Sequence, residues 1–206
     1  MTSTESAAAK PQLITPTFVL AWVANFCQFL VFYLSVTTMA LYAVESFGAS
    51  DTVGGFASSA FVLGATCMRV FSGWIVDRVG HKKAALTSLA FVTVVAVAYF
   101  FAHNVAVLII VRMVHGAAYA LTSTALMAVA QSVIPHERRA EGTGYFALGT
   151  TLATAFGPAI GLLLANNIGY TTLFAVALGA NIVSLILALV LRYPAEVSSE
   201  KPAFSL

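Results

Sequence analysis

The residues that could do chemistry in this chain are few, and they sit in unusual places. Arg69 stands eight residues before Asp77 inside one apolar stretch, and Arg112 stands eight residues after Asn104 inside another. An arginine at the centre of a membrane span costs about 2.5–3.5 kcal/mol on insertion scales. Each is therefore expected to face inward, in a functional or packing role. No acidic residue lies in the middle of an apolar stretch. The partner of Arg112 must then be an anionic substrate group, water or a backbone carbonyl. His115, three residues further on, shares its helical face; taken alone it reads as a core histidine with its hydrogen bond satisfied. Asn25 and Gln28, one turn apart, fit either hydrogen bonding between helices or the lining of a cavity. Tyr119 and Thr122 pose the same choice.

A second group is the charged turn Gly73-Trp74-Ile75-Val76-Asp77-Arg78-Val79-Gly80-His81-Lys82-Lys83. A carboxylate closes one apolar stretch, a glycine makes the turn, and basic residues precede the next. Gly73, one turn before Asp77, would let another helix approach closely. Asp77 could then meet the positive amino end of a neighbouring helix. The third group is Gly149 followed by Gly157-Pro158-x-x-Gly161, where the proline removes a helical hydrogen bond and kinks the chain.

Patterns for bond-breaking chemistry are missing. His136-Glu137 is followed by Arg138-Arg139-Ala140, so there is no His-Glu-x-x-His, and neither a Gly-x-Ser-x-Gly turn nor a phosphate-binding loop occurs. The chain does not read as an enzyme, and no cofactor or metal is expected. Without a nucleotide site, no step driven by nucleotide hydrolysis is expected. Cys27 and Cys67 fall inside apolar stretches and read as small buried hydrophobes.

These groups must be held by membrane helices. Sixty per cent of residues are apolar and 9% are charged, against about 25% charged in an average soluble domain. A spanning helix takes roughly 20 apolar residues, and six such segments are expected: 18–44, 53–76, 84–102, 105–133, 144–165 and 171–191. The breaks between them are short, so neighbouring helices run antiparallel. Lys10, Arg78, Lys82, Lys83, Arg138, Arg139, Arg192 and Lys201 all fall on one side, which places both termini in the cytoplasm. The net charge of +2 leaves no basic face for nucleic acid. Residues 1–14 are expected as a disordered cytoplasmic tail, 15–192 as the six-helix unit, and 193–206 as a cytoplasmic tail. Shifting the sequence by 89 lays Gly55-Phe56 on Gly144-Tyr145 and Gly80 on Gly169. That is a weak sign of a three-plus-three inverted repeat.

The charged turn, between the second and third helices, resembles the cytoplasmic loop motif of the major facilitator superfamily, with His81 where that family usually has arginine. Arg112-x-x-His115-Gly116 resembles the family's fourth-helix motif, and Gly157-Pro158-x-x-Gly161 its fifth-helix antiporter motif, with Leu162 in place of a final glycine. The resemblance covers residues 15–192 and implies an all-α membrane protein of six transmembrane helices, one half of a twelve-helix transporter. It implies proton-coupled efflux of a small organic molecule from a cell membrane by alternating access. Gly73, Asp77, Arg78, Gly80, Lys82 and Lys83 would form the conformational switch. Arg112, His115, Gly116, Arg69, Asn25, Gln28 and Tyr119 would serve the cavity and its coupling. The implied partners are the lipid bilayer, a small-molecule substrate, protons and a second six-helix half. That half would come from the same gene, a neighbouring gene or a second copy; a shortened reading frame is the other expectation. A nutrient symporter half and a membrane scaffold that moves nothing are the alternative readings.

Overall fold

Every described α-helix except the one that starts at Arg139 begins just after a capping side chain or a glycine. Thr15 accepts a hydrogen bond from the Phe18 amide at 3.1 Å with Pro16 in the first position, and Asn104 accepts one from the Val107 amide at 2.9 Å. The computed structural model describes residues 11–193. It consists of α1 (Pro16–Phe47), α2 (Asp51–Val79), α3 (His81–Val97), α4 (Val105–Val133), α5 (Arg139–Asn167) and α6 (Tyr170–Val190). Short 3-10 turns, Ala98–Phe101 and His136–Arg138, extend α3 and precede α5. No strand occurs among the described residues. All six helices are long and apolar enough to cross a membrane.

Apolarity marks the membrane rather than the helix, and the boundaries differ accordingly. α5 starts at Arg139 instead of residue 144, because Arg139–Thr143 are polar yet helical. Arg138 and Glu141 clasp that start with an ion pair of 2.7 Å. Residues 11–14 are not a loose tail. Leu13 is buried with Phe18, Ile134, Phe146 and Leu191, and Arg138 Nη1 donates to the Pro11 carbonyl at 2.9 Å. The rest of the tail expected at each end, residues 1–10 and 194–206, lies outside the described residues. Cys27 is buried as expected, but Cys67 is exposed.

The three-plus-three repeat is visible in the helix boundaries. An 89-residue shift carries Pro16 onto Val105 and His81 onto Tyr170, and carries Asp51 to within one residue of Arg139. Gly80 (φ 93°) and Gly169 (φ 110°) occupy matching turns before α3 and α6, in a backbone region that other residues rarely adopt. α2 packs along α4 and α1 along α5, while α3 packs on α4 and α6 on α1. A three-helix step exchanges the members of each pair of contacts. Short connections reverse the chain at every turn, so the two three-helix units are inverted. The outer surface of α3, its 3-10 extension and α6 exposes Phe91, Val94, Phe101, Val183, Ile186 and Leu189.

Candidate functional site

The centre of the molecule is the crossing of α2 and α4. Gly64 of α2 lies against the Met113 backbone, and Gly116 of α4 lies against the Phe61 backbone. A Cβ at either glycine would fall well inside van der Waals contact with a carbonyl oxygen. Backbones that touch this closely let one helix use the other's carbonyls. Arg112 does so. Its Nε donates to the Ala57 carbonyl at 3.3 Å and its Nη2 to the Ser58 carbonyl at 2.9 Å. Its guanidinium carbon lies 4.8 Å from the centre of the Phe61 ring, close enough for a cation–π attraction. Helical carbonyls keep a second lone pair for such bonds. Of the three partners expected for Arg112, backbone carbonyls take two of its donors; Nη1 is buried without a hydrogen bond. The side chain is fully buried.

His115 sits one turn along α4 and is buried as well. Its Nδ1 shares a 3.0 Å hydrogen bond with the Tyr99 hydroxyl, on the 3-10 turn that ends α3. The imidazole also meets the Phe61 ring edge-on, with centroids 5.3 Å apart. Arg112 and His115 thus tie α4 to α2 and α3. Tyr99 and Phe61 escaped the sequence reading. The available signal was an aromatic residue in an apolar run opposite a polar one, and it has no fixed spacing.

Beside this core runs an aromatic face. Phe32 lies 5.0 Å from Phe61, 5.8 Å from Tyr119 and 4.8 Å from Tyr33, and Phe29 stands edge-on to Tyr119 at 5.6 Å. Phe29, Phe32 and Tyr33 are half-buried, whereas Tyr119 is buried behind them. Thr122 is buried and donates to the Ala118 carbonyl within its own helix. On α2, Ala65 and Met68 continue the same cluster. Arg69 follows them, exposed, with no hydrogen bond or ion pair among the described residues. Its charge bears on the Tyr119 hydroxyl.

The polar pair on α1 points elsewhere. Gln28 Nε2 donates to Asn181 Oδ1 at 2.9 Å, and Ser184 donates to the Ala24 carbonyl at 2.9 Å, which joins α1 to α6. Asn25 is buried with its Oδ1 unbonded. Along α5, Gly149 faces Trp22, Gly157 faces Tyr33 and Gly161 faces the Leu34 backbone, with half-buried Pro158 between the last two. These contacts join α5 to α1.

The charged turn lies at the end of the bundle that also holds Arg138, Arg139 and Arg192. Nothing in the described chain comes within 4 Å of a Cβ placed on Gly73, so the close helix expected there is not one of these six. Asp77 is exposed and has no ionic or hydrogen-bonding partner among the described residues. Arg78 lies over Trp74, 5.2 Å from the ring centre, and Lys82 lies over Tyr193 at 5.8 Å. Burial pushes the Tyr193 hydroxyl up to about 12, so it is neutral beneath Lys82 at ordinary pH. The turn's carboxylate is left free to meet a group from outside. The opposite end carries Glu45 and Asp51 and, among the described residues, no lysine or arginine. Among the described residues no cluster of His, Cys, Asp and Glu could hold a metal ion.

Comparison with known proteins agrees with this architecture. The chain is 34% identical to an uncharacterized protein of Mycobacterium tuberculosis over 124 residues, 60% of this chain and 29% of that one. It is 31% identical to the staphylopine export protein of Staphylococcus aureus over 133 residues, 64% of this chain and 32% of that protein. The multi-drug resistance efflux pump PmrA of Streptococcus pneumoniae is 29% identical over 161 residues, 75% of this chain and 39% of the pump. The chain spans about a third of the length of these relatives. The family model for the Major Facilitator Superfamily matches residues 21–205, and this chain, with six helices long and apolar enough to cross a membrane, belongs to that superfamily.

Proposed function

We propose that the chain forms one wall of a proton-driven exporter of small organic molecules, working by alternating access against a second six-helix unit. The observation that carries this reading is the uncovered turn: Gly73 and Asp77 are exposed and have no partner in the described chain. The outer faces of α2 and α5 support it, since they expose Ser59, Thr66, Thr151 and Thr154 among apolar residues. Ser59, Thr151 and Thr154 donate to carbonyls of their own helices, yet each keeps acceptor lone pairs that water or another protein satisfies better than hydrocarbon. The fifth-helix Gly157-Pro158-x-x-Gly161 pattern and the export and efflux activities for which two relatives are named favour the outward direction. The excess of basic residues at the end holding the start of α1 favours cytoplasmic termini in a cell membrane.

The test is dye accumulation in inverted membrane vesicles energised with a pH gradient. Wild-type vesicles are expected to accumulate substrate and to lose it when the gradient is collapsed. Asp77→Asn is expected to cut the initial rate by about tenfold, a loss of roughly 1.4 kcal/mol in the conformational step, with helix content unchanged. Accumulation that ignores both the gradient and Asp77→Asn would remove the reading.

A further inference from the structure

The membrane-spanning part of this chain carries charge of one sign. The described acidic residues, Glu45, Asp51, Asp77, Glu137 and Glu141, all stand at helix ends. The interior holds Arg69 and Arg112 with no carboxylate to offset them. Arg112 is buried on carbonyl oxygens, which orient the guanidinium without cancelling its charge. Arg69 is the one that remains open. It lies eight residues, about 12 Å of helix, from the charged end at Asp77, too deep to reach the surface with ease. It lies one turn past Ala65 on the α2 face that carries Phe61 and packs against Tyr119, Phe29 and Phe32, so it borders the aromatic wall that Tyr33 continues beside Phe32. An exposed, unpaired guanidinium beside half-covered rings can hold an anionic group while the rings take an apolar body. A cation would meet only like charge there, in a medium where such repulsion is weakly screened.

We infer that the substrate is an amphipathic organic anion, its apolar body against Phe29, Phe32 and Tyr33 and its anionic group on Arg69. This rests on the transport reading above and names its substrate class. A carboxylate from the second six-helix unit is the competing partner for Arg69, and the efflux arm of the test, run with that unit present, separates the two.

The test compares 1-naphthoate with 1-naphthylmethylammonium, one ring system with opposite charges. Binding to the whole chain in neutral phosphatidylcholine nanodiscs is read by equilibrium dialysis. Naphthoate is expected to bind about tenfold tighter or more. Arg69→Gln is expected to erase that preference, Arg69→Lys to retain most of it, and Phe32→Ala to weaken both probes alike. Circular dichroism of each variant reports folding, and Arg69→Lys keeps the test open if Arg69→Gln fails to fold. The inference is overturned if neither probe binds, if the two bind equally, or if the preference survives Arg69→Gln. An equal loss of both probes in Arg69→Gln overturns it too, as the mark of an arginine that braces a protein interface. Efflux of the same probes from loaded vesicles reads transport separately. Naphthoate bound through Arg69 but never moved keeps the anion site and removes the transport reading. Both probes moved without preference does the reverse.

Discussion

The α2–α4 crossing and the α1–α5 crossing are repeat-related, yet they are built differently. At the first, each helix contributes a glycine to the other's backbone, Gly64 to Met113 and Gly116 to Phe61. At the second, α5 supplies the glycines and α1 answers with Tyr33 and Leu34. A reciprocal crossing fixes both helices in register, since sliding either one drives a side chain into a backbone. At the one-sided crossing Gly157 meets the Tyr33 Cβ and Gly161 the Leu34 carbonyl oxygen, so α5 is fixed on α1 while α1 brings no glycine of its own. Arg112 adds its two carbonyl bonds to the first crossing only. The difference lies in reciprocity: at the first crossing neither helix can take a side chain, whereas at the second the restriction falls on α5 alone.

Substitutions can break that contrast. The largest effect is expected from Gly116→Ala or Gly64→Ala, where the obstacle is backbone and cannot turn away. A loss of about 3 kcal/mol is expected, the upper end for overpacking, read as the midpoint of unfolding in a denaturing-detergent titration. Arg112→Lys should come next. A lysine cannot fork across two carbonyls and lie on a ring, so a loss of about 2 kcal/mol is expected, the range for hydrogen bonds of charged groups. Gly157→Ala should be mildest, about 1 kcal/mol, because its nearest obstacle, the Tyr33 Cβ at 2.5 Å, lies farther off than the carbonyl oxygens that face Gly116 and Gly64. If Gly157→Ala costs as much as Gly116→Ala in the same titration, the two crossings are equally rigid and the contrast fails.

Much of the fold was legible because hydrocarbon sorts residues harshly. Six apolar runs and a one-sided distribution of Lys and Arg suffice for the helix count, and Gly80 and Gly169 betray the repeat. Helix ends were less legible, since Arg139–Thr143 extend α5 in polar residues that hydropathy assigns to a loop. In the site, the burial of Arg112 could be anticipated from its depth. Its choice of the Ala57 and Ser58 carbonyls could not, because helical carbonyls look alike in any sequence. Gln28 illustrates the same limit. Its depth left cavity and interface equally open, and only the position of Asn181, 153 residues away, places it between α1 and α6. Gly64 drew no attention at all. A glycine in a long apolar helix carries no sign of what touches it.

The reciprocal contact of Gly64 and Gly116 has a genetic consequence. Every single-base missense change in a glycine codon introduces a residue with a Cβ, and at either position that atom meets a backbone carbonyl. No conservative neighbour exists one mutation away. The two codons are therefore closed to gradual drift, and a lineage can alter this crossing only by rebuilding both helices together.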